Sequence, residues 1–266
     1  MLNFEELLFW KSVAVGLTLV LAFTLERWRP MVDSPLLLRI GHATRAAWQR
    51  LMKNASLFGF NALLSPLLVV PITAWAEGFS LGLRPSWWSG PPGLLLDLLL
   101  LDFWIYWWHR ANHEIPLLWR FHEVHHLDEL LDSTSAFRFH FGEVLLSACV
   151  RAIVIILFDI PLEAVIIFEA LVLVNAIFHH SDMQLPLWLD RFLARLIITP
   201  GIHWVHHHAL RADTDSNYGT ILSLWDRLFG TMSATRRSLT MPIGVEGRRD
   251  RGLFGLLTGP FRRQGR

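Results

Sequence analysis

Five apolar stretches separated by polar segments run along the chain, and their lengths predict helices. They cover residues 7–25, 55–76, 94–108, 144–158 and 162–178. A helix needs roughly 20 residues to cross about 30 Å of hydrocarbon, so the first two are long enough and the last three are short for full spans. These three are expected to tilt little, to extend into neighbouring polar segments, or to reach only part of the way. Lys11 lies near one end of the first stretch, where its stem can snorkel. Pro66 and Pro71 inside the second predict a kink. Only Asp159, Ile160 and Pro161 separate the fourth from the fifth, which reads as a tight helical hairpin. Residues 36–52 mix apolar side chains with Arg39, Arg45 and Arg50 and read equally as an interfacial helix or a basic loop.

Composition assigns the solvent of these helices. Hydrophobic residues make up 53% and charged residues 18% of the 266, and the mean hydropathy of +0.37 points to lipid. The expected fold is all-α: a polytopic helical membrane protein. A net charge of +1 gives no reason to expect nucleic acid as a partner. The single Cys149 excludes a disulfide framework, a cysteine zinc site and an iron–sulfur cluster. Glu5 and Glu6 near the start argue against a cleavable signal, so the first stretch is expected to be a retained span. Arg27, Arg29, Arg39, Arg45, Arg50 and Lys53 follow the first stretch, whereas residues 77–93 carry only Arg84. The positive-inside rule then places the first loop, and by alternation the segments after Trp108 and Phe178, on the cytoplasmic face. The basic tail agrees, and Trp87, Trp88, Trp104, Trp107 and Trp108 suit the two interfacial belts.

The candidate chemistry is histidine. Of thirteen histidines, twelve fall between His109 and His208. His109 and His113 are four apart; His122, His125 and His126 form a His-x-x-His-His pattern, which His203, His206 and His207 repeat. Residues three and four apart share a helix face, so each motif is expected to present its imidazoles to one point. Eight nitrogen donors exceed what one ion needs. Neutral imidazole suits iron, zinc and copper, and the motifs lie at the ends of predicted spans, forming a histidine-rich metal-binding cap on the cytoplasmic face. Either His179 or His180 is expected to add a ninth ligand, and His140 stands between ligand and outer donor. His208 reads as a neighbour of its motif, and His42 as an ordinary surface histidine.

These motifs resemble the fatty acid hydroxylase and sterol desaturase superfamily of integral-membrane diiron oxygenases. The matching runs are DFWIYWWHRANH from Asp102, LWRFHEVHH from Leu118, FRFHFGE from Phe137, FHHSDMQLP from Phe178 and the stretch from Thr199 to Thr231 that includes Asn217-Tyr218-Gly219 and Trp225-Asp226-Arg227. The resemblance implies that His109, His113, His122, His125, His126, His203, His206 and His207 are metal ligands, and it supports His180. Leu127 and Phe141 stand where family members often have a small polar residue and proline, so the substrate is not carried over.

Two ferrous ions held by neutral imidazoles alone would leave four positive charges, so nearby acids or bridging oxygens are needed. Asp102, Glu143, Asp182 and Asp215 are the candidates, each equally readable as a cap or a solvated acid. The implied cofactors are two iron ions, with zinc able to replace them, and O₂ as co-substrate. The implied reaction is hydroxylation or desaturation of a lipid such as a fatty acyl chain or sterol, with electrons from an external cytochrome or ferredoxin. A membrane haem protein would need histidine pairs within the spans, and a metal transporter or metal-binding protein would place polar ligands along a path near the midplane. The expected organisation is membrane spans and basic loop over 1–92, the catalytic unit over 93–232, and a basic tail over 233–266.

Overall fold

A computed structural model describes residues 3–39, 43–79 and 81–262, so His42 lies outside the described residues. Among these the fold is all-α, with only isolated bridges in place of strands. Helix α1 (Phe4–Trp28) opens with a reciprocal cap: Asn3 Oδ1 accepts from Glu6 N at 2.9 Å while Asn3 N donates to Glu6 Oε2 at 2.8 Å. Helix α2 (Arg45–Glu77) starts at the Thr44 cap and runs continuously through Pro66 and Pro71. Residues 45–52, left between two readings above, are therefore its first turns. Helix α3 (Gly90–Glu114) carries the third apolar stretch on through His109 and His113. Helix α4 (Pro116–His126) follows after Ile115, with proline preset for its first turn. Helices α5 (Phe141–Phe158) and α6 (Leu162–His180) form the expected hairpin, closed by Asp159 in the left-handed region at φ 49°.

Among the described residues four helices, α1, α2, α5 and α6, are long and apolar enough to cross a membrane. The chain is thus an integral membrane protein by its helices. Helix α3 is less apolar, carrying Asp97, Asp102, Arg110 and Glu114, yet it too runs from one end of the bundle, where Asp97 meets Arg84 beside Asp159, to the other, where it brings His109 and His113. The apolar windows of α1 and α2 are only 6% and 11% buried, against 33% and 44% for α5 and α6. That difference places α5 and α6 at the centre and leaves the faces of α1 and α2 to lipid. Helix α1 packs along α6, and α2 along α5. Leu101 of α3 meets Ile155, Val165 and Phe168 in the main apolar cluster.

One end of this bundle is closed by polar structure. Arg50 lies 4% exposed and donates to Asp128, at 2.6 and 2.8 Å, and to Asp132 at 3.0 Å. Arg27 donates to Asp132 at 2.8 Å, and Glu26 accepts from Ser133 N and Asp182 N at 2.8 Å each. Burial alone would raise the Asp128 and Asp132 carboxyls, but Arg50 holds both below the ordinary range. The network ties α1 and α2 to the segment after α4. The C-terminal segment belongs to this end: Leu256 is buried with Leu57, Val124 and Leu127, and Asp250 pairs with Arg138 and Lys53.

Candidate metal centre

Helix geometry decides how the histidines group. Four residues advance a helix by about 40° beyond a full turn and three fall about 60° short of one. Accordingly His122 and His126 of α4 point together and His125 points elsewhere. After the short helix α7 (Leu187–Leu193) comes α8 (Pro200–His206), where His203 and the adjoining His207 point together and His206 points away. Two clusters result. His109, His113, His122, His126 and His206 form one, and His125, His180, His203 and His207 the other; within each, one donor atom per residue lies within 4.8 Å of every other. The expectation that each motif serves one point is corrected: each His-x-x-His-His motif is shared between both clusters. The clusters touch, since the His126 and His207 rings stack at 4.3 Å.

Four of these imidazoles have their tautomer set by an acceptor. Nδ1 donates to the Tyr218 carbonyl from His109 at 2.8 Å, to the Ser216 carbonyl from His206 at 2.6 Å, and to the Ala176 carbonyl from His180 at 2.8 Å. His122 Nδ1 donates to Glu143 Oε1 at 2.8 Å. A carbonyl can only accept, so the neutral ring keeps its bare lone pair on Nε2, facing its cluster.

The donor set fits a metal ion better than a hydrogen-bond network. His180 Nε2 lies 3.1 Å from His125 Nε2 and 3.0 Å from His203 Nε2, which is also 3.1 Å from His207 Nε2. His203 has at most one hydrogen there for two neighbours, and His180 has none. A cation satisfies all four lone pairs together. Two nitrogens each about 2.1 Å from one ion and at right angles lie about 3 Å apart, which matches these separations. In the other cluster His126 Nε2 and His122 Nε2 are 3.2 Å apart, and His206 Nε2 and both nitrogens of His113 are buried without a hydrogen-bond partner. Burial, reinforced by neighbouring imidazoles, pushes His125, His126, His203 and His207 down, and His206 down to about 3. All are therefore neutral and able to coordinate at physiological pH.

The remaining candidates lie around these clusters in different roles. His179 stands beside the second cluster, its ring 3.9 Å from that of His203, and His180 is the one brought into it. His140 joins neither: its Nε2 donates to the Leu257 carbonyl at 3.0 Å and its Nδ1 accepts from Gly142 N at 2.9 Å, capping α5. Glu143 touches His122 directly. Asp215 Oδ1 lies 3.4 Å from His113 Nδ1, while its other oxygen accepts from Arg211. Asp102 meets no histidine; it accepts from Ile221 N, Leu222 N and Trp225 Nε1, holding the loop that follows Tyr218. Asp182 accepts from Met31 N and Val32 N, and burial pushes its carboxyl up to about 6. His208 bonds Asp213 at 2.7 Å, outside both clusters.

Sequence reasoning missed the backbone carbonyls that orient His109 and His206. Their signal was the Asn-Tyr-Gly run. Asn217 adopts a left-handed conformation, φ 54°, that asparagine tolerates. Its side chain bonds Ile202 O at 3.1 Å and Ser233 N at 2.8 Å, while Asp226 accepts from Tyr218 N and Gly219 N at 2.8 Å each. A Cβ at Gly219 would lie 2.8 Å from Asp226 Oδ2, so glycine is required there.

Comparison with known proteins agrees with this geometry. The family model described as fatty acid hydroxylase matches residues 94–231. The chain is 30% identical over 204 residues to an ornithine lipid hydroxylase of Rhizobium tropici, covering 76% of this chain and 60% of that protein. It is 27% identical to the alkylglycerol monooxygenase of Homo sapiens over 59% of this chain and 35% of the relative. A cholesterol 25-hydroxylase-like protein of Danio rerio is 28% identical, over 83% of this chain and 88% of that one. The chain thus spans 60% of the length of the rhizobial relative and about a third of the alkylglycerol monooxygenase. No solved structure matches it.

Proposed function

The chain belongs to the fatty acid hydroxylase family, and from that premise we propose that it is a membrane oxidoreductase that hydroxylates or desaturates a lipid at a two-iron centre. One observation carries the reading. A cavity of about 350 Å³ between the helices is lined by histidines of both clusters, among them His109, His122, His180 and His203, by apolar residues such as Ile105, Phe168 and Val172, and by a few charged side chains including Lys11 and Arg151. It offers an apolar chain a place against the donor set, as lipid oxidation requires and as ion transport does not. The relatives' names, all lipid-directed where they are hydroxylases or monooxygenases, point to the same substrate class.

The first cluster would hold one ion through His109, His113, His122, His126 and His206, and the second its partner through His125, His180, His203 and His207. Iron bound there would supply reductive O₂ activation, in which two external electrons and two protons send one oxygen atom into a C–H bond and the other into water. The chain's own residues supply the rest. Glu143 and the three carbonyls keep Nδ1 protonated, so that the lone pairs stay aimed inward. Phe139 stacks on His125 at 4.4 Å and shields the second cluster. The apolar wall excludes water and positions the chain. Electrons come from a separate cytochrome or ferredoxin, and the centre lies on the cytoplasmic face where the basic residues gather.

Mass spectrometry of lipids from cells with and without the protein tests the reading. The expected product is a lipid heavier by one oxygen or lighter by two hydrogens, absent in a His122→Ala variant expressed at the same level. An identical product from that variant would refute the assignment.

A further inference from the structure

The cavity has a charged end that oxygen chemistry does not use. Its wall carries His122, His180 and His203 on one side and Lys11, Arg151 and Glu169 on the other. Lys11 pairs with Glu169, and Arg151 Nη2 lies 3.0 Å from the other oxygen of the same carboxylate. The three occupy one layer. Lys11 is seven residues in from Phe4, Arg151 seven before Phe158, and Glu169 seven after Leu162. That is about 10 Å inside the helix ends remote from the histidines. Along α5, Arg151 is eight residues from Glu143, and along α6, Glu169 is eleven from His180. The charges therefore stand about 12 to 16 Å from the metal centre.

Ionised groups at this depth are costly, and replacing a buried ion pair by apolar side chains is often neutral or stabilising, so structure alone does not account for three of them. The set is also unbalanced, with two cations for one carboxylate. Arg151 is 8% exposed, and its Nε is buried without a hydrogen-bond partner. Lys11 and Glu169 keep 21% and 27% side-chain exposure beside the cavity.

We propose that Lys11 and Arg151, whose charges the single Glu169 carboxylate only partly offsets, bind the acidic head group of the amphiphile that this cavity admits. The proposal rests on the cavity being the substrate chamber. A carboxylate or a phosphate monoester supplies the needed chemistry: oxygen acceptors and a negative charge that completes a layer carrying one excess positive charge. With the acid held there, the chain runs toward the histidines, and the carbon attacked lies about 12 to 16 Å from the acid, not beside it.

Equilibrium binding to the purified full-length protein without metal, using radiolabelled palmitate, hexadecyl phosphate and methyl palmitate, tests this independently of oxidation. At least one acid should bind on the order of tenfold more tightly than the uncharged ester. Which acid binds better tells carboxylate from phosphate. Arg151→Met and Lys11→Met should each erase most of that preference, whereas Glu169→Gln, which frees both cations, should tighten acid binding. A structural staple predicts a lower melting temperature in all three variants with an unchanged acid-to-ester ratio. That result, or an ester bound as tightly as both acids, overturns the proposal. Where a cation variant fails to fold, unaltered or weaker acid binding in Glu169→Gln overturns it as well. Acid selectivity in a protein that yields no oxidised lipid would leave this site standing and sink the oxygenase reading.

Discussion

Glu143→Gln isolates what an acid beside a ligand contributes. Glu143 is 5% exposed and accepts from His122 Nδ1 at 2.8 Å, and its Oε2 has no hydrogen-bond partner. Glutamine keeps the volume and an acceptor oxygen. It removes the charge that strengthens Nε2 as a donor, and its amide can present N–H to the ring, which would invert the tautomer. Loss of such an outer partner costs about 10- to 100-fold in metal affinity, equivalent to about 1.4 to 2.7 kcal/mol. Removing the carboxylate also frees the fold of a buried charge with an unsatisfied oxygen, so the metal-free melting temperature should hold steady or rise. Competition against a chelator of known affinity, with anaerobic ferrous iron or zinc, measures the first quantity; thermal unfolding with and without metal measures the second. Wild-type metal affinity in Glu143→Gln, or equal destabilisation with and without metal, would refute the reasoning.

Other consequences are open to measurement. Arg50→Met leaves Asp128 and Asp132 buried beside fewer cations and should cost about 3 to 5 kcal/mol, read as loss of monodisperse protein or a marked fall in melting temperature. His140→Ala should leave the bound-metal count unchanged and weaken only the α5 cap by about 1 kcal/mol, whereas His180→Ala should lower metal content. Elemental analysis of the two variants separates cap from ligand, and equal metal loss in both would contradict the grouping. The metal-free protein should lose stability as pH falls below about 6.5. His125, His126, His203, His206 and His207 have lowered values when folded, so the unfolded chain binds more protons below its own histidine pKa and acid favours unfolding. A melting temperature flat from pH 7.5 to about pH 5 would contradict this.

What the sequence determined is what depends on local spacing and burial. Apolar runs of 15 or more residues can satisfy their backbone in lipid only as helices, so α1, α2, α5 and α6 and the Asp159–Pro161 turn were legible along the chain. Repeated His-x-x-His-His likewise announced a gathering of imidazole donors of the kind that suits a metal ion. Partnership was left to the tertiary structure. Spacing states which residues share a face of one helix but not what that face meets. Only the packing of α3, α4, α6 and α8 shows that each motif is divided between two clusters, that His180 and not His179 joins one, and that His140 joins neither. The acids were ambiguous for the same reason. Asp102, Glu143 and Asp182 are all buried carboxylates close in sequence to histidines, yet only Glu143 contacts a clustered imidazole, because the direction of a side chain in space is set by contacts between segments far apart in the chain.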